Sequence, residues 1–340
     1  MNIAIIGTGF SGLATGWFLL NSSSANPINI TFFDPFGIGG GTSGMAGGLM
    51  HPHVGASAKL NINGLEGYLA TSELLKLASE KIGKPVVKSH GLLRLAITEK
   101  QKQEFRVSSE SYENVVWCKQ EETIQKIPGL SIHPGIFIQK NVIVDCHLYL
   151  EGLWLACKEK GAKLEKATIH SIEELKGFDL IVLATGASVN KLLPLKQLPV
   201  TQVKGQVIEF AWPQNLEALP YALNSQAYLL MDTGGKTCIA GATYERAFNS
   251  IDADLHFASK DIMPKAEALI PALKGVSILG CKAGIRASTP GHMPIIQKID
   301  SKCWAITGMG SKGLLYHALY SAKLVRMIVN DLRRQLQLSP

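Results

Sequence analysis

Apolar residues form short unbroken runs that lead into glycines at two places in the chain. Residues 2–6 (NIAII) are a largely β-branched run, which is typical of a strand buried in a parallel sheet. We predict a helix from Gly12 to Leu20, a turn from Ser22 to Pro27 and a second strand from Ile28 to Asp34, which together form a βαβ unit. Phe178 to Ala187 repeats the pattern of a buried strand entering a glycine turn.

Between and after these units the hydrophobic pattern is different. Apolar residues there alternate with polar ones or recur at helical spacing, and they no longer form unbroken runs. The predicted strands are residues 91–97, 135–144, 202–210, 228–231 and 237–240, and the predicted helices are residues 65–82 and 314–336. This order predicts an α/β fold with a doubly wound, Rossmann-like nucleotide domain of the glutathione-reductase type and an inserted mixed or antiparallel sheet. We assign residues 1–86, 142–200 and 275–340 to the nucleotide domain and residues 87–141 and 201–274 to a substrate domain.

Composition narrows the class of protein. The 340 residues are 46% hydrophobic and 18% charged, which excludes a disordered chain. The formal net charge of +7 is unclustered apart from Lys323, Arg326, Arg333 and Arg334, so we interpret it as ordinary surface bias. Six scattered cysteines with no C-x-x-C pair indicate neither a zinc site nor a disulfide framework. We therefore expect a soluble cytoplasmic protein with no membrane segment and no metal.

The first glycine loop, GTGFSG, matches the dinucleotide-binding pattern G-x-G-x-x-G. It leaves a strand, opens a helix and is followed by Asp34 at the end of the next strand. Gly7 permits the tight turn, Gly9 lets the backbone approach a pyrophosphate, and Gly12 lets the helix pack on the sheet. The amides at the helix start, including those of Phe10 and Ser11, then hold the phosphates, and Asp34 accepts hydrogen bonds from the ribose.

A second glycine-rich stretch follows the strand that carries Asp34. It reads GIGGGTSGMAGGLMHPHVG from Gly37 to Gly55. An NAD enzyme has no need for a second small-residue loop at this place, whereas the ribityl chain and ring of a flavin extend beyond the pyrophosphate and need backbone beneath them. The two loops together predict FAD.

The order of motifs along the chain resembles the D-amino-acid oxidase superfamily of FAD-dependent oxidoreductases, which includes glycine oxidase and sarcosine oxidase. Within it the chain is most similar to the oxidase domain of the bifunctional enzyme that makes 5-methylaminomethyl-2-thiouridine in tRNA. The motifs after the two loops are GLLRLA, a strand from Lys166 to Ile172, LATGA, VKGQVIEF, IAGATYE, GIRASTPGHMPII and ITGMGSKGLL. The tRNA-modifying branch reads ASGN and a tyrosine where this chain has Thr42 to Met45 and His51, which leaves the substrate open.

The resemblance implies a set of residues that contact FAD. Thr42 and Ser43 are expected on the pyrophosphate side and Ile169 beside the adenine. The amides of Gly308 to Leu314 are expected to point at the flavin pyrimidine and stabilise its negative charge on reduction. Other implied contacts are Gly48, Leu49 and Met50 along the flavin, Thr185 and Gly186 near the dinucleotide, and Met309, Gly310, Ser311, Lys312 and Gly313 within the last segment.

The resemblance also implies a substrate site. Arg286 stands where amino-acid oxidases of this superfamily bind the substrate carboxylate, a task that suits a planar guanidinium, and a structural salt bridge is the alternative. Tyr228 and Tyr244 match pocket positions or are core tyrosines. Lys312 is a cation near the flavin or a solvated residue. His51 is expected beside the flavin ring, because the H-x-H pair has no third ligand for a metal.

Three functions follow from these residues. The first is oxidation of the C–N bond of an amino acid or N-substituted glycine by hydride transfer to flavin N5, with no protein residue assigned as general base. The second is oxidative removal of a carboxymethyl group from a modified wobble uridine in tRNA. The third is a flavin-binding subunit without turnover.

Overall fold

The computed structural model describes residues 1–22, 27–193 and 197–338. The predicted turn at 22–27 falls largely on residues 23–26, outside this described part. The strands are β1 (Asn2–Ile6), β2 (Asn29–Phe33), β3 (Leu49–Met50), β4 (Val87–Leu95), β5 (Val115–Cys118), β6 (Gly135–Val144), β7 (Lys163–Glu165), β8 (Leu180–Leu183), β9 (Thr201–Ala211), β10 (Ala222–Asn224), β11 (Tyr228–Met231), β12 (Thr237–Gly241), β13 (Ile278–Ser288), β14 (Ile295–Lys298) and β15 (Cys303–Thr307).

The α-helices pack against two sheets built from these strands. They are α1 (Phe10–Leu20), α2 (Gly64–Ile82), α3 (Glu99–Ser111), α4 (Gln120–Lys126), α5 (Cys146–Glu159), α6 (Leu255–Leu269) and α7 (Gly313–Leu338). Short 3-10 turns lie at Ile172–Leu175, Gly186–Leu192, Pro271–Leu273, Pro290–His292 and Gly310–Lys312. No helix among the described residues is long and apolar enough to cross a membrane.

The first sheet has six strands in the described part of the chain, in the order β14-β15-β8-β1-β2-β7. All neighbours are parallel except β14 and β15. Ile3 and Ile5 of β1 face the helices α1, α5 and α7, and Ala4 and Ile6 pack on the opposite face. The strand is therefore buried on both faces, as its unbroken apolar run predicts.

The second sheet contains nine of the described strands, in the order β13-β9-β12-β11-β10-β4-β6-β3 with β5 beside β6. Its pairs are antiparallel except β4 with β10. One face packs on α6 around Phe210 and Leu229, which are fully buried. The mixed α/β class predicted from the sequence is thus confirmed.

The division into two domains stays a proposal. Strand β13, which that division gives to the nucleotide domain, pairs with β9 from Ile278 to Ser288 in the second sheet. Strand β3 pairs with β6 in the same sheet. Both strands carry backbone from the nucleotide segments into the wall of the second sheet, so the cofactor-facing residues of the two sheets lie close together.

The predicted strand from Lys166 to Ile172 is wrong. The edge strand β7 occupies Lys163–Glu165, and the chain then turns into the 3-10 segment Ile172–Leu175, whose start Ser171 caps by accepting from the amide of Glu173. Helices α3, α4, α5 and α6 were not predicted. Asp145 caps α5 by accepting from the amide of Leu148, and aspartate is a preferred residue at a helix start. Pro264 lies inside α6, where proline is usually unfavourable.

Candidate functional site

A deep cleft lies between the first sheet and the second, with an empty volume of about 1160 Å³ that includes its open side. Its walls are the starts of α1 and α7, the glycine-rich loop before β3 and the facing edge of β9 and β13. Of the residues implied by the resemblance, the following line it: Gly9, Phe10, Ser11, Thr42, Ser43, Gly48, Leu49, Gly186, Tyr228, Arg286, Gly308, Met309, Gly310, Ser311, Gly313 and Leu314.

The first glycine loop is closed so tightly that only glycine fits at two positions. Gly7 has a φ of +104°, and a methyl group there would lie 2.5 Å from the carbonyl oxygen of Ala184. A methyl group at Gly12 would lie 1.9 Å from the carbonyl oxygen of Gly7. Helix α1 therefore begins in contact with the strand ends, and its first amides face the cleft.

The first amides of α1 are available to an anion. Phe10 N donates to Ser43 Oγ at 3.1 Å, while the amides of Ser11 and Gly12 make no hydrogen bond with any other described residue. Free amides at a helix start, together with the positive end of the helix dipole, favour a phosphate group.

Asp34 is tied to the first loop. Its Oδ2 accepts from Thr8 N at 2.9 Å and lies 3.0 Å from Thr8 Oγ1, and its Oδ1 accepts from Phe36 N at 3.0 Å. The carboxylate is partly exposed and each oxygen has capacity for a further hydrogen bond. Binding of the ribose by Asp34 stays a prediction.

The second glycine-rich loop joins three parts of the cleft. Ser43 contacts the start of α1, as described above, and Thr42 Oγ1 lies 3.1 Å from both N and O of Ile285 in β13. Gly48 has a φ of +91°, and a methyl group there would lie 2.0 Å from the carbonyl oxygen of Val144. The loop thus lays its backbone along the cleft, with Leu49 in the wall and Met50 buried in the core behind it.

The start of α7 forms a further part of the cleft wall, next to the start of α1. Strand β15 ends at Thr307, and the 3-10 turn Gly310–Lys312 leads into the helix. The amides of Met309, Gly310 and Ser311 form no hydrogen bond with the rest of the described chain. This second set of free amides faces the same cleft as the start of α1.

Arg286 projects from β13 onto a bare stretch of β9. A methyl group at Gly205 would lie 2.1 Å from Arg286 Nη2, so the glycine makes room for the guanidinium. Arg286 Nη1 donates to the carbonyl oxygen of Thr243 at 3.2 Å. Burial lowers the pKa of Arg286, against the opposing effects of Tyr228, Tyr244 and Glu245. None of the ion pairs among the described residues includes Arg286.

Tyr228 faces the same wall from β11. Its hydroxyl is so close to Gly47 and Gly241 that a methyl group on either would lie within 2.8 Å of it. Burial raises the pKa of Tyr228 to about 12, so the phenol is neutral at ordinary pH and has a proton to donate. It therefore lies on the wall of the cleft, and its contact with a substrate stays a prediction.

Tyr244 and Lys312 border an adjoining side pocket that also contains Arg286. Tyr244 is 52% exposed, and the guanidinium groups of Arg246 and Arg286 lie 5.6 and 6.0 Å from the centre of its ring. Lys312 Nζ lies 3.4 Å from Asn61 Oδ1, and burial lowers its pKa.

Several predicted residues lie outside the cleft wall. His51 is only 4% exposed and sits near Arg94 and His53, and its pKa is lowered well below the usual value by burial first and by these charges second. Ile169 packs on the far face of the first sheet. Thr185 Oγ1 is buried without a hydrogen-bond partner among the described residues, next to Gly186 in the wall. Their roles stay predictions.

Some wall residues were not predicted. Gly205 and Val207 lie within the motif VKGQVIEF, and Gly47 and Gly284 lie within other quoted motifs. A glycine in a strand interior signals close approach of another group, and here that group is the side chain of Arg286. The alternation of β9 places Gln206 on the opposite side, where its Nε2 donates to Glu245 Oε1 at 3.0 Å.

The family model for DAO, FAD dependent oxidoreductase, matches residues 2–327. The chain belongs to this family. Its cofactor is FAD, as the two glycine loops predict. The chain is 23% identical over 350 residues to glycine oxidase of Bacillus subtilis (strain 168), and the match covers 96% of this chain and 92% of that protein.

Other members of the DAO family are similarly distant. The tRNA 5-methylaminomethyl-2-thiouridine biosynthesis bifunctional protein MnmC of Hydrogenovibrio crunogenus is 24% identical, over 93% of this chain and 50% of its own length. The chain spans at most half of the bifunctional relatives of that name that it matches. The crystal structure of glycine oxidase from Geobacillus kaustophilus has a TM-score of 0.80 at 20% identity, covering 96% of this chain and 94% of that one, which confirms the fold.

The cleft fits FAD on its own evidence. Two helix starts with free amides lie in its wall, and the glycine-rich loops contribute mostly glycines and other small residues to the wall between them. No group of three or more His, Cys, Asp or Glu residues able to hold a metal occurs in the described ranges. All six cysteines are free thiols, and five of them are buried.

Proposed function

We propose that this DAO-family protein oxidises the C–N bond of a small amino acid or N-substituted glycine. The C–H bond next to a neutral amine would break with loss of a hydride, and a C=N bond would form from the nitrogen lone pair. Water then adds to the imine and releases the amine and a carbonyl compound. Bound FAD supplies the electron acceptor for this reaction.

The observation that carries the proposal is the state of Arg286. Its guanidinium is partly buried against Gly205 in the cleft wall and forms no ion pair with a carboxylate among the described residues, although Glu245 is near enough to influence its pKa. A partly buried charge without an ion-pair partner is costly, and a bound carboxylate would supply the partner through two charge-assisted hydrogen bonds. The salt-bridge alternative is therefore disfavoured.

The side chains of the cleft support hydride transfer without a protein base. Apart from Tyr228 and Arg286, none of the residues described in its wall carries a titratable side chain. Arg286 would hold the carboxylate, and the neutral hydroxyl of Tyr228 would donate to it or to the amine side. Holding the C–H bond in place contributes roughly 7–11 kcal/mol in well-oriented reactions, so positioning alone accounts for a large part of the acceleration.

An anaerobic reduction assay tests the proposal. Purified protein loaded with FAD is mixed with glycine, sarcosine, D-amino acids, L-proline and the corresponding amines that lack a carboxylate, and loss of the visible absorption of oxidised flavin is followed. We expect reduction by at least one carboxylate substrate and not by its decarboxylated partner. Photochemical reduction serves as the control that the bound flavin is competent. A competent flavin that no compound reduces would refute the proposal.

A second candidate function is oxidation of a carboxymethylaminomethyl group on a wobble uridine of tRNA. The similarity to MnmC supports it, and so does the half-exposed ring of Tyr244 with Arg246 and Arg286 close by, since aromatic rings and guanidinium groups can both stack on a base. Binding of undermodified tRNA should weaken steeply with salt, because phosphate contacts release counterions. Equal retention of tRNA by wild type and Tyr244→Ala, or none at low salt, would count against this function.

A third candidate is a flavin-binding subunit without turnover. Arg286 argues against it, because a subunit without turnover has no need of a guanidinium in the cleft wall that lacks an ion-pair partner.

The free thiols fit the predicted cytoplasmic location, which fractionation of cells would test.

A further inference from the structure

A buried aromatic cluster lies directly beneath the two helix starts that face FAD. Phe10 is the first residue of α1, His317 lies in the second turn of α7, and Tyr149 lies on α5. The ring centroid of Phe10 is 5.8 Å from that of Tyr149 and 5.2 Å from that of His317. Tyr149 and His317 are fully buried, and neither belongs to the cleft wall.

The hydrogen bonds of the cluster have only one consistent arrangement. His317 Nδ1 lies 3.0 Å from the carbonyl oxygen of Gly313 and 3.1 Å from that of Leu314, so it carries the proton and donates. His317 Nε2 then accepts from the hydroxyl of Tyr149 at 2.6 Å. Burial lowers the pKa of His317 to about 4 and raises that of Tyr149, so both groups are neutral.

This chain of hydrogen bonds ties the first turn of α7 to α5. The carbonyl oxygen of Leu314 also accepts from Thr71 Oγ1 of α2 at 3.1 Å. Ser321 Oγ donates to the carbonyl oxygen of Ser11 at 3.1 Å, which joins α7 to α1. The helices α5 and α2 therefore hold the first turn of α7, while α1 is joined to α7 farther along at Ser321. The link through His317 also contacts Phe10 at the start of α1.

We propose that Tyr149 and His317 are positioning residues, which fix the start of α7 against the start of α1 so that its free amides stabilise the reduced form of FAD. The helix dipole and the amides act within about one turn, so a small displacement of α7 changes the stabilisation of the negative flavin. Loss of the hydroxyl of Tyr149 would leave His317 Nε2 buried without a donor, and the ring would turn away from the carbonyl oxygens to find one.

The test compares the redox equilibrium of FAD in Tyr149→Phe and in wild type. We expect reduced FAD to bind about tenfold more weakly relative to oxidised FAD, because the amides of α7 lose part of their effect on the charge. For a two-electron couple this is a fall of about 30 mV in the midpoint potential. The potential is measured by equilibration with a reference dye, and binding of oxidised FAD to the apoprotein is measured by fluorescence titration.

Tyr320→Phe is the matched control. Tyr320 is also a buried tyrosine on α7, but it lies seven residues beyond the first residue of the helix, and its hydroxyl accepts from Asn63 Nδ2 at 3.4 Å, outside the Phe10 cluster. We expect it to lower the unfolding temperature of the apoprotein as Tyr149→Phe does while leaving the midpoint potential unchanged. An equal shift in both variants, or no shift in Tyr149→Phe, would overturn the proposal.

A double variant keeps the test decisive if Tyr149→Phe does not fold. Tyr149→Phe with His317→Leu removes both polar partners, so no buried group is left unsatisfied and stability should recover. The lowered midpoint potential should remain, because the contact of His317 with the α7 carbonyl oxygens is still absent. A double variant with the wild-type potential would show that these residues only pack.

Discussion

The two ends of the cleft are built in different ways. The end at α1 is made of backbone from one βαβ unit, and its glycines leave bare amides for the phosphates. The wall at Arg286 is made of side chains from β13, β9, β11 and the segment at Thr243, which are far apart in the chain. In the proposed function, the backbone end would hold the diphosphate of FAD and the side-chain wall would bind the substrate.

This difference predicts how each end responds to substitution. A methyl group added to the backbone end meets fixed backbone atoms and has nowhere to go. A methyl group added to the side-chain wall at Gly205 meets the movable end of Arg286. The guanidinium can shift at small cost in stability, but it then no longer occupies its position in the cleft wall. Changes at the first end should abolish cofactor binding, and changes at the second should alter substrate turnover while FAD stays bound.

The largest effect is expected for Gly12→Ala. The added carbon would lie 1.9 Å from the carbonyl oxygen of Gly7, and overpacking against the backbone should lower the free energy of unfolding by about 3 kcal/mol. The variant should also fail to bind FAD. Absorption spectra and chemical denaturation measure both quantities. Gly177→Ala is the control, because no atom lies within 4 Å of the added carbon. A yellow Gly12→Ala protein of normal stability would contradict this account.

Arg286→Ala should weaken turnover of carboxylate substrates by about 2–5 kcal/mol in kcat/KM, as for loss of one partner of a buried charge pair. FAD content should stay unchanged. Turnover of an amine without a carboxylate should hardly change, which separates loss of the charge from loss of the fold. Exposed Arg106→Ala serves as a control for removing one arginine. An unchanged kcat/KM for the carboxylate substrate would exclude the role.

Gly205→Ala should act through Arg286. The added carbon would lie 2.1 Å from Nη2 and displace the guanidinium, and a displacement of about 1 Å costs about 100-fold in rate. In an Arg286→Ala background the same substitution should have no further effect, since the two act as a unit. Gly280→Ala in the paired strand β13 has free space around it and is the control. If the losses in kcat/KM from the two substitutions add up in the double variant, Gly205 does not act through Arg286.

The pH dependence of stability should reveal the neutral pair beneath the helix starts. Burial lowers the pKa of His317 to about 4, so the unfolded chain binds more protons than the folded one between pH 4 and 6.5, and stability is lost as pH falls through this range. The loss assigned to His317 between pH 7 and 5 is about 2 kcal/mol. His317→Gln should lose less folding stability than wild type over this pH range, as measured by chemical denaturation at each pH. His170→Gln, at an exposed position, should lose as much stability as wild type does.

The local patterns of the sequence predicted the family, the fold class and FAD, because each depends on residues that are close in the chain. GTGFSG lies between its own strand and helix, and Gly12 packs against the carbonyl oxygen of Gly7 within the same loop. The run Gly37 to Gly55 follows directly after that unit. Most of the strands and helices that were predicted lie within a few residues of the observed ones for the same reason, since periodicity reports burial of one short segment. Helices α3 to α6 and several short strands were not predicted.

What only the tertiary structure decided is which distant segments meet. No spacing along the chain shows that Gly205 faces Arg286, or that Tyr149 reaches His317 across 168 positions, because these contacts depend on strand register and helix packing. His51 was expected beside the flavin from its place in the loop, yet the backbone turns its ring into the interior near Arg94. Local sequence determines which backbone forms, and long-range packing determines which side chains share a wall.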